Sequence, residues 1–227
     1  MANTYFFGGS SASGFQTRFN EIVNRPGYFT YILKGGPGTG KSTLMKKIAE
    51  HFKSHEVELY YCSSDIRSLD AVVIHDLGIV VLDGTAPHVF NADYPGISQC
   101  LVDLGDFWDR DKLKGQESEI RRCFAENAAY HSRARAFITA LSAVNGGVLV
   151  QSFSEAVKEK IEQSAKEILK EMPEKNDGKG KCEFKQVAAM TSEGYLTQPI
   201  PTEYRVIGIR DHRYAAGFML MDQMKKD

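Results

Sequence analysis

Apolar residues recur along this chain in two rhythms. Residues 28–33 (YFTYIL), 56–62 (EVELYYC) and 78–82 (GIVVL) are short runs dense in β-branched and aromatic side chains, and they predict buried strands. Between the first two, Leu44, Ile48 and Phe52 fall at helical spacing and predict a helix that begins near Lys41. Upstream, residues 4–7 predict a short edge strand and residues 8–14 (GGSSASG) a turn. Phe15, Phe19 and Ile22 then predict a first helix closed by Asn24-Arg25-Pro26-Gly27. Residues 69–74 predict a short helical or irregular connection. The order strand, helix, strand, connection, strand is that of a parallel sheet with crossovers, so the expected class is α/β.

Beyond residue 115 the rhythm becomes helical. Ile120, Phe124, Tyr130, Phe137, Leu141 and Val144 keep to one helix face, Gly146-Gly147 interrupts the pattern, and Val157, Ile161, Ala165, Ile168 and Met172 resume it before Pro173. This predicts an antiparallel helical pair over residues 116–172, which either covers a sheet face or moves as a lid. Residues 174–181 (EKNDGKGK) are charged and lack apolar anchors, as a linker does. Residues 182–190 and 204–209 predict two more strands, and 215–226 a last helix. The expected division is a first domain over 1–173 and a remainder over 182–227.

Composition narrows the function classes. With 227 residues, 42% hydrophobic and 25% charged, the chain can bury a core without disulfide or metal staples. Its formal net charge of −1 lacks the basic excess of a protein that grips long nucleic acid. Cys62, Cys100, Cys123 and Cys182 form no CxxC pair and are expected as reduced, mostly buried thiols. His51 and His55 share one face of the helix predicted there, and no third metal ligand accompanies them. The opening MANTYFFGGSSASG lacks the basic stretch and apolar core of a signal peptide, and no run reaches a membrane span, so the expected compartment is the cytoplasm.

The strand at 28–33 runs directly into residues 35–43, GGPGTGKST, which satisfy GxxxxGK[ST]. Each residue type has a physical task. Glycines let the backbone wrap an anion where a Cβ would clash, successive N–H groups point inward, and the helix starting at Lys41 adds its positive end. The candidate phosphate-binding residues are Gly36, Pro37, Gly38, Thr39, Gly40, Lys41, Ser42 and Thr43, with Lys41 supplying full charge and Ser42 a hydroxyl for magnesium. Asp83 ends the apolar strand at 78–82 and is the candidate second metal residue, since its carboxylate would emerge at the carboxyl edge of a buried parallel strand. Lys41 and Asp83 are the candidate catalytic pair. Asp65 either meets a substrate or caps a turn, and His88 lines the pocket or is a plain loop histidine. Arg121, Arg122, Arg133 and Arg135 either reach a transferred phosphate or form a solvated face.

In its glycine loop and its strand ending at Asp83, the chain resembles the P-loop NTPase superfamily. More narrowly, FFGGSSASGF, YILKGGPGTGKSTLMKKIAE and VVLDGTAPHVFNADYPG are similar to a bacterial family of ATPases built from two tandem P-loop units. The resemblance implies a three-layer sandwich with a mainly parallel sheet, carrying here a long helical hairpin. It also implies ATP binding through Gly38, Gly40, Lys41, Ser42 and Thr43, and it names no substrate. Gly84 follows Asp83 where many ATP-hydrolysing machines carry a glutamate, and DGTAPH is similar to the turn of small nucleotide kinases. An internal echo accompanies it: residues 188–197 (AAMTSEGYLT) repeat residues 8–17 (GGSSASGFQT), and Met219-Leu220-Met221 stand where Thr43-Leu44-Met45 stood. The later loop, RDHRYAAGFM, has no Gly-Lys-Ser, so residues 182–227 are either a degenerate remnant of a second P-loop unit or a chance echo. The expected function is magnesium-dependent ATP binding with at least slow hydrolysis, acting on an unknown protein or small-molecule partner. The alternatives are a nucleotide or small-molecule kinase and a regulatory nucleotide-binding module. No Asn-Lys-x-Asp stretch selects guanine.

Overall fold

The structure, a computed structural model, describes residues 2–17, 19–86, 89–149, 154–171, 183–201, 208 and 216–224. It divides into two compact units, one of Met1–Arg135 with Lys185–Thr202 and one of Ala136–Phe184 with Glu203–Asp227.

The first unit is built on a six-stranded mixed sheet. In chain order its strands are β1 (Asn3–Phe6), β4 (Phe29–Lys34), β5 (Val57–Tyr61), β6 (Leu69–Ile74), β7 (Ile79–Asp83) and β8 (Gln99–Asp103). In space they run β1-β5-β6-β7-β4-β8. β1 is parallel to β5, and β4 is parallel to both β7 and β8, whereas β6 is antiparallel to its two neighbours. The sheet is therefore mostly parallel, with one reversed strand. That strand corrects the sequence expectation: Leu69–Ile74 is neither helical nor irregular, and every one of its residues is buried. The reason lies in the connection. Parallel neighbours need a crossover of a dozen or more residues, and the few residues between β6 and β7 allow only a hairpin. Gly78 turns it with φ 62, and a Cβ there would stand 2.6 Å from the Gly27 carbonyl.

Strand alternation sorts the apolar side chains onto two faces. Ile32, Ala71, Val73, Val80 and Leu82 point to one face with Tyr5, Phe7 and Tyr60, and Ile22 and Val23 of the short helix α1 (Phe19–Val23) close it. Leu33, Val72, Ile74 and Val81 point to the other, where Met45 of α2 (Lys41–His51) is fully buried among them. α1 is shorter than expected because Phe15 belongs to a strand. Instead of a simple turn, residues 8–17 form a hairpin of β2 (Gly8–Ser11) and β3 (Gly14–Thr17).

A second hairpin matches it in detail. β9 (Ala188–Thr191) and β10 (Gly194–Thr197) pair in the register of β2 and β3, so Thr191 faces Gly194 as Ser11 faces Gly14. Gly14 and Gly194 have φ of 113 and 104. The hydroxyls of Ser11 and Thr191 each donate to the carbonyl of that glycine at 2.8 Å. The two hairpins lie side by side: the Phe6 N–H donates to the Gln186 carbonyl at 2.8 Å, and a Cβ on Gly9 would stand 2.9 Å from Gln186 Nε2. The echo in the sequence is thus an echo in backbone geometry.

After β8 come a 3-10 turn (Leu104–Phe107), α3 (Arg110–Gly115) and α4 (Glu117–Leu149). The pair Gly146-Gly147 does not interrupt α4, which runs through it. On the part of α4 in the first unit the apolar positions stand in solvent, with Phe124 57% and Tyr130 70% exposed, so this stretch does not cover the sheet. In the second unit α5 (Glu155–Lys170) packs against α6 (Ala216–Met224), and Ile161 and Ala165 are buried. Among the described residues no helix is long and apolar enough to cross a membrane. The linker expected at 174–181 and most of the strand expected at 204–209 and of the loop at 210–219 lie outside the described residues.

Candidate functional site

β4, β7 and β8 are parallel neighbours, so Lys34, Asp83 and Asp103 all end at the same edge of the sheet. The glycine loop rises from that edge. Gly35, Gly38 and Gly40 have φ of 144, 81 and 91, values that other residues rarely adopt. Gly40 sits at the N-cap of α2 with no side-chain cap, so the N–H groups of the first turn are left without helical acceptors. The Thr39 hydroxyl donates to the Gly36 carbonyl at 2.9 Å and braces the loop from within.

Lys41 is the centre of this arrangement. It is 8% exposed, and its ammonium donates to the carbonyls of Gly35 at 2.6 Å and Gly36 at 3.0 Å. Asp83 Oδ2 stands 3.6 Å from the same Nζ. The structure thus brings together the two residues that the sequence put forward as a catalytic pair. Asp83 Oδ1 is held by the Thr85 N–H at 2.9 Å and by the Thr85 hydroxyl. The Ser42 hydroxyl oxygen accepts the Leu69 N–H at 3.0 Å, which ties α2 to the start of β6 and fixes the rotamer of Ser42.

Gly84 has a steric reason. A Cβ there would lie 2.3 Å from Cγ2 of Ile32, a fully buried core residue, so a carboxylate cannot be mounted at this position without moving the core. Lys34, which the sequence reading passed over, fixes the segment after Asp83. Its ammonium donates to the carbonyl of Gly84 at 2.7 Å, to that of Phe90 and to Asn91 Oδ1 at 3.4 Å. A lysine closing a buried strand immediately before the glycines was the available signal. Trp108 was missed as well: its indole lies beside the loop, with Cζ2 3.4 Å from where a Cβ of Gly36 would be.

Other candidates have local roles. Asp65 accepts from the Arg67 N–H at 3.1 Å and the Ser68 hydroxyl at 2.6 Å, and the Ser68 bond leads in holding its carboxyl below the usual range. It caps a turn. Arg121 pairs with Glu117, and Arg122 with Glu119 and Glu126, all exposed along α4. α2 ends at His51, so His55 is not on its face, and the His55 ring instead meets Asp76 at 2.5 Å. Desolvation pushes the Cys62 thiol up to about 12, but Cys62 and Cys100 are only partly buried and Cys123 is exposed, so the described thiols are not mostly buried as expected. Pro87, His88 and Cys182 lie outside the described residues.

A second cluster of charge lies on the face of the sheet lined by Tyr5 and Tyr60. Glu58 is buried on β5 and receives Lys185 Nζ on both oxygens, at 2.9 and 2.7 Å, together with the Tyr60 hydroxyl at 2.7 Å and His75 Nε2 at 3.1 Å. Burial pushes the Glu58 carboxyl up, but the His75 hydrogen bond and the Lys185 charge outweigh it and hold the carboxyl at about 2. Arg25 can only donate, so its contact with His75 Nδ1 at 3.2 Å leaves the proton on Nε2, directed at Glu58.

No family, curated protein or solved structure matches the chain.

Proposed function

We propose that the chain is a P-loop protein that binds ATP with magnesium through residues 36–43 and hydrolyses it slowly. The carrying observation is Lys41: a nearly buried ammonium at a helix start, resting on two carbonyls of its own glycine loop and one ion-pair distance from Asp83. A β,γ-phosphate can replace those carbonyls as its partner, while the first-turn N–H groups of α2 receive the same anion. The oxygen donors available, the Ser42 hydroxyl and the Asp83 carboxylate, suit a hard cation such as magnesium, which keeps much of its water shell. Bound there, the metal would neutralise charge on the phosphates. The steric exclusion of a side chain at Gly84 favours slow turnover, and with it the alternative of a regulatory nucleotide module. The matched hairpins of residues 8–17 and 188–197 support descent from a tandem P-loop ATPase.

Calorimetric titration with magnesium and ATP tests this. The wild-type chain should bind about one equivalent, and Lys41→Ala should lose at least ~2 kcal/mol, roughly thirtyfold in affinity, because a charge-assisted contact disappears. Free phosphate should accumulate slowly from labelled ATP. A wild-type chain that binds no ATP sinks the reading, and a new phosphorylated metabolite would turn it to a kinase.

A further inference from the structure

We propose that Trp108 is the base platform of the nucleotide site and selects purine nucleotides; this rests on the nucleotide reading above. The site has two flanks. β7 lies on one side of β4 and brings Asp83 toward Lys41, so the charged end of a ligand and its metal belong there. β8 lies on the other side of β4, with Asp103 in register with Lys34. A triphosphate anchored at Lys41 that runs along the loop away from Asp83 carries its nucleoside toward β8.

An aromatic stands on that flank and is held in place. Asp103 Oδ1 accepts the Gly105 N–H at 2.7 Å and starts the 3-10 turn, and the Trp108 N–H closes it on the Gly105 carbonyl at 3.1 Å. Asp109 then caps α3 by accepting the Lys112 N–H at 3.0 Å. Trp108 therefore sits between two capped turns, its backbone fixed on both sides. The benzo edge of its indole lies beside Gly36, with Cζ2 3.4 Å from where a Cβ would stand, and the residue is 45% exposed, so ring surface stays open beside the phosphate cradle. A large π-face held in this way is a stacking surface for a base, and purines offer the larger partner. The same face has nothing to gain from a ligand that is phosphate alone.

Trp108 is the single tryptophan, so wild-type fluorescence reports on it directly. The experiment compares Mg·ATP, Mg·CTP and magnesium tripolyphosphate on the wild type, Trp108→Phe and Trp108→Ala. Stacking predicts that ATP changes the emission and tripolyphosphate leaves it nearly unchanged. It also predicts that Trp108→Ala weakens ATP about five- to hundredfold with tripolyphosphate held within twofold, that Trp108→Phe recovers most of the loss, and that ATP exceeds CTP. Equal weakening of ATP and tripolyphosphate would show that the indole only shapes the loop, and unchanged ATP affinity would show that it does not meet the base; either overturns the platform while the phosphate site stands. A wild type that binds neither ATP nor tripolyphosphate overturns the site and the platform together. If Trp108→Ala does not fold, the wild-type emission and Trp108→Phe decide.

Discussion

Two lysines, Lys41 buried and Lys185 partly buried, face carboxylates in the first unit, and their surroundings differ in kind. Lys185 meets both oxygens of Glu58 and also donates to the Tyr60 hydroxyl at 2.8 Å, with its ammonium over the rings of Tyr5 and Tyr60. Glu58 in turn takes bonds from Tyr60 and His75, so its oxygens are occupied. Lys41 stands farther from Asp83, at 3.6 Å, and its short contacts go to carbonyls of a glycine loop. A saturated pair between distant parts of a chain is a clamp, and here it fastens the returning segment at 185–201 to β5. The pair at Lys41 is open in another sense: its ammonium reaches no carboxylate oxygen within hydrogen-bond distance and lies at the start of α2, whose first-turn N–H groups have no helical acceptors. The same two residue types serve both ends because the kind of partner separates them: each ammonium has at least three, but Lys185 hydrogen-bonds to both oxygens of its counter-charge, whereas the hydrogen bonds of Lys41 go only to neutral loop carbonyls.

The largest expected effect comes from breaking the clamp. Lys185→Ala leaves Glu58 buried with its main counter-charge gone, and should cost about 3–5 kcal/mol in urea unfolding. Lys41→Ala should cost no more than about 1 kcal/mol of stability, because Asp83 keeps both bonds from Thr85. Equal losses in the two variants would erase the distinction drawn between the pairs.

Acid titration tests the same contrast with a slightly smaller effect. Against the upward push of burial, the His75 hydrogen bond and the Lys185 charge hold the Glu58 carboxyl at about 2 in the folded chain, compared with 4.5 for an unperturbed glutamate. Its folded value is depressed, so its contribution is fully present above pH ~4.5 and is lost as pH falls toward ~2. The loss should approach about 3 kcal/mol, at ~1.4 kcal/mol for each unit of difference. In Glu58→Gln this part of the acid slope should vanish. Urea midpoints measured from pH 7 to pH 2.5 that fall in parallel for the two proteins would assign the acid sensitivity to other carboxylates.

How much of this was legible in the sequence depends on the distance over which each feature is encoded. The glycine loop was readable because neighbouring positions in one short segment each answer a local demand, and Asp83 because one buried strand delivers it. β6 was misread because LDAVVI is too short for its period to separate strand from helix. The brevity of His75-Asp76-Leu77-Gly78, which forbids a crossover, was the signal that should have decided it. The hairpins were visible only as an echo of letters, and their matched positive-φ glycines explain why those letters recur. Glu58 with Lys185, and Trp108 with Gly36, are meetings of distant segments, and no local pattern announces them.

The smallest expected effect concerns a third class of ion pair, exposed and short in sequence range. Arg121 meets Glu117 at 2.7 Å and Arg122 meets Glu119 at 2.6 Å, with both arginines more than half in solvent. Water competes for each partner and salt screens the rest, so such pairs contribute about 0.3–0.5 kcal/mol on a helix. Arg121→Ala and Arg122→Ala should therefore shift thermal unfolding barely beyond error. Their bearing on the site is sharper. Arginines already engaged along their own helix have no need of a phosphate partner, and each variant should bind ATP within twofold of wild type. A tenfold loss of ATP affinity in either one, with stability unchanged, would mean that α4 reaches the nucleotide in solution. The open pair at Lys41 would then be completed by that helix, and the distinction between saturated and open pairs would hold only for the chain without its ligand.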